Sequence, residues 1–378
     1  MSLPPSDMPP LCFKVLANLP ELVRTTFSKA RASGDVNFYP TKVAVFDVNS
    51  VPFQLRFAPS LANKPKNPPH SSSSEQSLPK KAPFDPFDNP PAPLLITTPS
   101  ALDSHFLVLN KFAIVPEHFI LATRAFAPQT HLLDAADLRA AYACIDAYHR
   151  AKNNNVHKKK DDNGEIIRED TGGELFVFFN SGPASGASQP HRHLQLLPVQ
   201  RMRDGLPDDG GHGWDVLANA LLDKSTRERL PFQTFAERID PALGADGLRT
   251  VYLALYRLAC GAVLGTAAER TSQQEEGEAR ISYNLAMTRD SMVIVPRATE
   301  GGDVFAPPAS GDGDNNAERE KVGQLAFNGT LLAGTALVKS QVEWDALRQD
   351  PGQLAAVLGR IGVPWETAPG GTQGRGKI

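Results

Sequence analysis

Two histidines and a glutamine recur at every second position of one short segment. His191, His193 and Gln195 follow, after a loop, residues 174–180, an apolar run rich in phenylalanine that predicts a buried β-strand. Side chains at alternate positions of an extended strand point to one face, so two imidazoles and one carboxamide would line a common surface. The spacing therefore predicts a polar site built on a strand.

The chemistry of such a site follows from what each group can do. A neutral imidazole is an uncharged nucleophile at pH 7, so it meets less repulsion at a phosphate than a carboxylate would. His193, the middle member, is the predicted nucleophile, and its attack on an α-phosphate would leave a nucleotidyl group on nitrogen. We expect a ring N–H of His191 to orient or protonate His193. Gln195 can donate a hydrogen bond to a phosphate oxygen but cannot titrate, which favours a transferase over a hydrolase.

The loop that precedes these residues is the second chemical feature. Residues 180–188 are mostly small, so backbone N–H groups could approach an oxyanion. A zinc half-site or a pair of surface histidines is the competing interpretation, but no paired cysteines supply further ligands, and no metal site is predicted. The predicted contacts to phosphate in and beside the loop are Asn180, Gly186, Ala187, Ser188 and Gln189.

The segment 186–195, Gly-Ala-Ser-Gln-Pro-His-Arg-His-Leu-Gln, carries a family resemblance. It is similar to the signature of the diadenosine tetraphosphate phosphorylases, also called ATP adenylyltransferases, a fungal branch of the histidine-triad superfamily. The hydrolase branch has a third histidine where Gln195 stands. Galactose-1-phosphate uridylyltransferases share the His-x-His-x-Gln order, often with proline where Pro190 stands, and are the nearest alternative. A catalytically inactive nucleotide sensor is a second alternative.

Other segments resemble the phosphorylases in separate blocks. Residues 110–121 resemble a strand-turn-strand in which an Asn-Lys pair contacts nucleotide, and His118 would then lie near the nucleophile and support the catalytic residues without contacting substrate itself. Thr335 departs from the pattern, because methionine is expected there. The resemblance implies that substrate is contacted by Lys64, Asn110, Lys111, Asn284 and Lys339.

The resemblance also implies the reaction and its partners. Diadenosine tetraphosphate would be phosphorolysed to ATP and ADP, and re-formed in the reverse direction, through an adenylyl group on His193. The partners would be these nucleotides and inorganic phosphate. No covalent cofactor is implied; a magnesium or manganese ion could accompany the polyphosphate, and no carboxylate cluster predicts a protein-borne site for it. The sequence leaves the oligomeric state open.

Composition limits the class of protein. The chain has 378 residues, 41% of them hydrophobic, enough for an ordinary globular core. A formal net charge of −3 argues against a nucleic-acid-binding surface. Three widely spaced cysteines, Cys12, Cys144 and Cys260, favour a reducing compartment and weaken the uridylyltransferase alternative, whose members commonly use cysteine ligands. We find no signal segment and no apolar run of membrane-spanning length, and expect a cytoplasmic protein, also present in the nucleus.

The periodicity of apolar residues predicts a mixture of strands and helices, and the resemblance implies an α+β histidine-triad-like fold with a mostly antiparallel sheet flanked by helices. We expect an N-terminal catalytic part, 1–205, and a C-terminal part, 206–378, that completes the nucleotide site within the same globule. Residues 366–378 are expected to form a disordered tail, and residues 153–163 and 311–320 surface insertions. The predicted helices are 11–33, 134–149, 215–222, 248–264 and 341–358. The predicted strands are 52–57, 106–110, 119–122, 175–179, 191–197, 283–287, 292–296 and 332–338.

Overall fold

A computed structural model describes most of the chain. The described residues are 18–59, 84–97, 102, 104–154, 159–160, 166–167, 173–206, 213–265, 274–307 and 319–365. Lys64, the 311–318 part of one predicted insertion and the predicted tail therefore lie outside the described residues.

Fifteen strands are described, and they fall into four sheets. In chain order they are β1 (Lys42–Val48), β2 (Val51–Phe57), β3 (Leu95–Thr97), β4 (His105–Leu109), β5 (Phe119–Thr123), β6 (Lys159–Lys160), β7 (Ile166–Ile167), β8 (Leu175–Ser181), β9 (His193–Pro198), β10 (Phe235–Arg238), β11 (Tyr283–Met287), β12 (Ser291–Pro296), β13 (Gly301–Phe305), β14 (Lys321–Ala326) and β15 (Thr335–Val338).

The described α-helices vary from one turn to twenty residues. In chain order they are α1 (Leu19–Ala32), α2 (Ala135–Asn154), α3 (Val199–Met202), α4 (Leu217–Ala220), α5 (Lys224–Arg229), α6 (Ala245–Leu264), α7 (Gln341–Gln349) and α8 (Gly352–Ile361).

The largest sheet has eight strands in the order β10-β12-β11-β8-β9-β5-β4-β3, and all neighbours are antiparallel. Both of its faces are covered. Helices α1, α2 and α6 supply side chains to one hydrophobic core, and the β1-β2-β15 and β13-β14 sheets with α7 and α8 supply the other. The predicted α+β fold with a mostly antiparallel sheet is confirmed.

Strand β9 divides its side chains between the two faces. Leu194 and Leu196 pack into the core beneath the long helices, while Leu197 packs into the opposite core. Because side chains alternate, His193 and Gln195 share the face of Leu197. The predicted common surface therefore exists for these two residues. His191 lies just outside the strand, where it forms an isolated bridge with Pro128, so the predicted strand 191–197 began two residues too early.

The second layer is built around a β-hairpin that the sequence analysis missed. Strands β1 and β2 pair with Val48 opposite Val51, and Asn49 and Ser50 form the turn with φ of 52° and 63°. Two-residue hairpin turns with positive φ are usually marked by glycine, and here none is present. Strand β15 adds in parallel to β2.

Two C-terminal predictions are corrected. The predicted helix 341–358 is two helices, because Asp350, before Pro351, has φ −132° and ψ 78° and cannot continue α7. A Ser340–Glu343 capping box starts α7. The predicted strand 332–338 begins only at Thr335, since residues Gly329–Ala333 form a 3-10 helix. The predicted helix 215–222 is the single turn α4.

Helix α6 is long and apolar enough, by length and composition, to cross a membrane. One face of α6 is nevertheless buried against the sheet, including Leu248, Tyr252, Tyr256 and Cys260. We therefore regard it as the core helix of the larger sheet's helical layer.

Candidate active site

His193 begins β9 and is held by both its backbone and its ring. Its backbone N–H donates to Gln129 Oε1 at 2.8 Å, and Gln129 Nε2 donates to the carbonyls of Asn180 and His193. Gln129 thus bridges β8 and β9 beside His193 with a side-chain amide. The His193 side chain is 3% exposed. The predicted nucleophile is therefore buried and fixed in place.

The ring of His193 has a defined tautomer. Nδ1 lies 2.8 Å from the backbone carbonyl oxygen of His191, which can only accept, so Nδ1 must carry the hydrogen. In the neutral ring this places the lone pair on Nε2. Phe87 packs against the ring with centroids 5.0 Å apart and excludes water from one side. These features suit Nε2 for nucleophilic attack.

His191 does not act on its neighbour in the way we predicted. Its Nδ1 donates to Asp85 Oδ2 at 2.7 Å, and its Nε2 faces Thr123, 2.8 Å from the carbonyl oxygen and 3.0 Å from Oγ1. Both ring nitrogens therefore point to other residues. It is the backbone carbonyl of His191, not a ring N–H, that orients His193.

Gln195 lies on the same face of β9 and is half-buried. Its Oε1 accepts hydrogen bonds from His118 Nε2 at 2.6 Å and from Asn110 Nδ2 at 3.1 Å. The structure therefore brings the predicted His118 and Asn110 together with Gln195. Among the described residues, no protein group accepts a hydrogen bond from the Gln195 NH2.

The loop before β9 is fastened to the C-terminal half of the chain. Gly186 has φ +77°, and a Cβ there would lie 2.7 Å from the Phe327 carbonyl oxygen. Ala187 N–H donates to Ser185 Oγ at 3.3 Å. Residue 186 must therefore be glycine, because only glycine permits this close approach of the two backbone segments. Ser188 and Gln189 are half-buried beside the histidine segment and remain the predicted phosphate donors.

Asn180 and Asn284, both predicted to bind substrate, have side chains that are hydrogen-bonded to other groups of the protein. Asn284 is fully buried and donates to Asn180 Oδ1 and to the Ser185 carbonyl, each at 2.8 Å. Asn180 Oδ1 also accepts from Gly329 N–H at 2.8 Å. Because both amide hydrogens of Asn284 are used, we correct its role from nucleotide contact to support of the loop. Asn180 joins the same support.

Arg297 also supports the loop, because it holds Asn284 in place. Its guanidinium donates to Asn284 Oδ1 and to backbone carbonyls that include Phe327 and Ile361. Burial lowers the pKa of Arg297 to about 10, so the group stays charged at neutral pH. The loop is thereby tied to the strands and turns of the C-terminal half by charge-assisted hydrogen bonds.

Arg192, between the two histidines, points into the opposite side of the sheet. Its Nη1 donates to Asp134 and to Asp137, each at 2.8 Å, and Asp137 also accepts from His105 Nε2 at 2.8 Å. Arg192, His105 and Asp137 are buried. This charged cluster fixes the backbone between His191 and His193.

Two lysines that were predicted to contact substrate take no part in the hydrogen bonds described above. Lys111 is exposed at the end of β4, next to Asn110, and Lys339 is exposed at the end of β15 in the three-stranded sheet. No contact within the described residues joins Lys339 to the His193 segment. Their roles stay predictions.

Several residues of the site were missed by the sequence analysis: Asp85, Phe87, Thr123, Gln129 and Arg192. Asp85 and Phe87 lie in the segment 85–90, for which no role was predicted. Gln129 had no signal in sequence, because its partners are set by the sheet. The described residues contain no group of three or more histidine, cysteine, aspartate or glutamate side chains that could hold a metal ion.

Two domain models of one enzyme family match successive parts of the chain. The Ap4A phosphorylase N-terminal domain model matches residues 14–158 and 168–207, and the ATP adenylyltransferase C-terminal domain model matches residues 228–364.

Two curated relatives come from Saccharomyces cerevisiae. Diadenosine 5',5'''-P1,P4-tetraphosphate phosphorylase 2 is 28% identical over 358 residues, 92% of this chain and 95% of that protein. Protein APA1 is 23% identical, with the same shares covered.

Solved structures show the same fold. Yeast Ap4A phosphorylase Apa2 superposes with a TM-score of 0.60 at 23% identity, covering 92% of this chain and 98% of that one. Its complex with Ap4A gives a TM-score of 0.62 at 24% identity with the same coverage. The two domain models follow one another and between them span most of the chain, so the chain belongs to the family of Ap4A phosphorylases, also called ATP adenylyltransferases.

Proposed function

We infer that the protein phosphorolyses diadenosine tetraphosphate to ATP and ADP, and catalyses the reverse reaction. The observation that carries this inference is the hydrogen bond from His193 Nδ1 to the His191 carbonyl, which places the ring's lone pair on Nε2, on a strand residue that shares a face with Gln195. The family and the curated relative, itself a tetraphosphate phosphorylase, supply the substrate.

The reaction has two displacement steps. In the first, His193 Nε2 attacks an α-phosphorus of the substrate, an N–P bond forms, and the P–O bond to the remaining triphosphate breaks, so that ATP leaves. In the second, an oxygen of inorganic phosphate attacks the adenylyl phosphorus, the N–P bond breaks, and ADP leaves. His193 Nδ1 keeps its hydrogen throughout, and the His191 carbonyl stabilises the positive charge on the adenylylated ring.

Gln195 and the buried surroundings favour phosphate over water as the acceptor. Gln195 has a neutral amide that donates without titrating, so it can bind phosphate oxygens but cannot activate water as a base. Phe87 covers the histidine rings, which limits the access of water to the adenylyl group. Positioned binding of the acceptor then offsets the excess of water.

We also propose that Mg²⁺ or Mn²⁺ enters with the polyphosphate, neutralising its charge without dedicated protein ligands. A cytoplasmic location, extending to the nucleus, is proposed from the free, buried thiols of Cys144 and Cys260. Imaging of a fluorescent fusion would test the location, and turnover after chelation would test the ion.

Intact-mass analysis tests the mechanism directly. Brief exposure of the protein to diadenosine tetraphosphate without phosphate should add one adenylyl group, and later addition of phosphate should remove it as ADP. His193→Ala should show no added mass, whereas His149→Ala, on the helical side of the sheet, should be labelled like the wild type. If the wild type is never labelled, or if only a sugar phosphate and nucleotide sugar are exchanged, the proposal is wrong.

A further inference from the structure

The hydrogen bonds around Gln195 have a direction that one backbone group fixes. The N–H of Phe112 donates to Asn110 Oδ1 at 3.0 Å. A backbone N–H can only donate, so the oxygen of the Asn110 amide must face Phe112 and its nitrogen must face away. The orientation of Asn110 is thus set by the main chain.

This orientation passes to Gln195. The Asn110 NH2 lies 3.1 Å from Gln195, so the Gln195 oxygen must face it, because the reversed carboxamide would place two donors together. His118 Nε2, at 2.6 Å, must then donate to the same oxygen. The Asn110 and His118 nitrogens lie 3.3 Å apart because both converge on Gln195 Oε1. The Gln195 NH2 is left directed away from both.

The position of His118 is fixed in turn by the residue before it. Glu117 is a buried, non-glycine residue with φ +64°, a conformation that is costly unless its surroundings impose it. Its Oε1 accepts from Arg201 Nη2 at 2.8 Å and from Arg201 Nε at 3.0 Å. Arg201 lies in α3, directly after β9. The turn that carries His118 is thereby anchored to the strand that carries Gln195.

We propose that Asn110 and His118 are positioning residues, which lock the Gln195 carboxamide with its NH2 turned toward the phosphate that is transferred. This amide relay (Phe112 N–H, Asn110, His118 and Gln195) rests on the proposed function for the identity of its ligand. It gives Asn110 a role through Gln195, distinct from the direct nucleotide contact that the family resemblance implies.

A double-mutant cycle separates these two roles. In Asn110→Asp the carboxylate cannot donate, so Gln195 must turn its NH2 toward residue 110 and its oxygen toward the phosphate. We expect single-turnover adenylylation of His193 to slow by about 100-fold, comparable to Gln195→Met, because removal of one preorganised donor has about this effect. Asn110→Ser, which only releases Gln195, should slow the step by about tenfold or less.

The double variant Asn110→Asp/Gln195→Met decides between the alternatives. If Asn110 acts through Gln195, the double variant should be within about twofold of Gln195→Met, since no amide remains to be inverted. If Asn110 instead touches the nucleotide, Asn110→Asp should slow adenylylation of the Gln195→Met variant by the same factor as it slows the wild type. That result would overturn the relay.

His118 provides a second pair of variants should Asn110→Asp fail to fold. His118→Gln keeps a donor toward Gln195 and His118→Phe removes it, so His118→Gln should retain severalfold more adenylylation activity. Equal rates in the two would overturn the relay. Calorimetric binding of inorganic phosphate to the same variants repeats both comparisons without turnover. A wild type that binds phosphate but is never adenylylated would contradict the proposed function alone.

Discussion

The two ends of the histidine segment are held by different kinds of interaction. At the start, charged groups hold both sides: Asp85 on the His191 ring, and the Asp134 and Asp137 carboxylates on Arg192. At the other end, the Asn110 amide and the His118 imidazole both donate hydrogen bonds to the carboxamide oxygen of Gln195. Hydrogen bonds between charged groups are about twice as strong as those between neutral groups. Removal of one partner of a buried ion pair is also strongly destabilising, because the other charge is left buried without compensation.

The difference separates anchoring from orientation. The charged end fixes where the backbone of His193 lies, because Arg192 is tied to helix α2 through the buried carboxylate of Asp137. The neutral end fixes which way an amide faces, which needs directional hydrogen bonds and little energy. We therefore expect loss of the buried Arg192–Asp137 pair to affect stability, and changes at the neutral end to affect catalysis.

The largest effect should come from breaking the charged cluster. Arg192→Met leaves Asp137 buried without its cation, and the free energy of unfolding should fall by about 3–5 kcal/mol. Asn110→Ser, at the neutral end, should cost only about 0.5–1.5 kcal/mol. Denaturant unfolding of both variants measures the difference. Equal losses would show that the two ends are not held differently.

Acid should weaken the charged end selectively. Burial alone would raise the pKa of Asp137, but the hydrogen bond from His105 and the charge of Arg192 together lower it. A lowered folded pKa gives stability that is present above the ordinary carboxyl value, about 3.9, and lost as pH falls toward the folded value. The stability advantage of the wild type over Asp137→Asn should therefore shrink below about pH 4. Over the same range, Asn110→Ser should follow the wild type in parallel.

Asp85 lies at the charged end but on a loop, with its side chain 22% exposed. Asp85→Asn should therefore lower kcat by about tenfold or somewhat more, through the weakened hold on His191, with little change in unfolding. Asp88→Asn, an exposed carboxylate of the same loop, is the matched control and should leave kcat unchanged. A fall in stability without a fall in kcat would contradict the role of Asp85.

The smallest effect should come from the Thr123 hydroxyl. Thr123→Val removes Oγ1 but keeps the backbone carbonyl, 2.8 Å from His191 Nε2. If Nε2 donates to that carbonyl, kcat should change by less than about threefold. A tenfold loss would instead show that Nε2 accepts a hydrogen bond from the hydroxyl, and that the ring carries its hydrogen only on Nδ1.

Much of the fold was predictable because long apolar runs have a clear period. Strand β11 was placed residue for residue, and β8 and α6 were placed within a few residues. Elements with weak local signals were missed, including β1, β10 and the β13–β14 hairpin. In β1 most side chains are only partly buried, so apolar alternation did not stand out.

The active site was likewise only partly predictable from the sequence. Residue order alone places His193 and Gln195 on one face, because side chains alternate along a strand, and residue type alone shows that Gln195 cannot act as an acid. It could not show that both nitrogens of His191 are engaged by Asp85 and Thr123, or that Asn284 is a buried support. These partners are tens of residues or more apart in the chain, and only the packing of the sheet brings them within hydrogen-bonding distance. Residue type sets the available chemistry; tertiary structure decides which atoms remain to perform it.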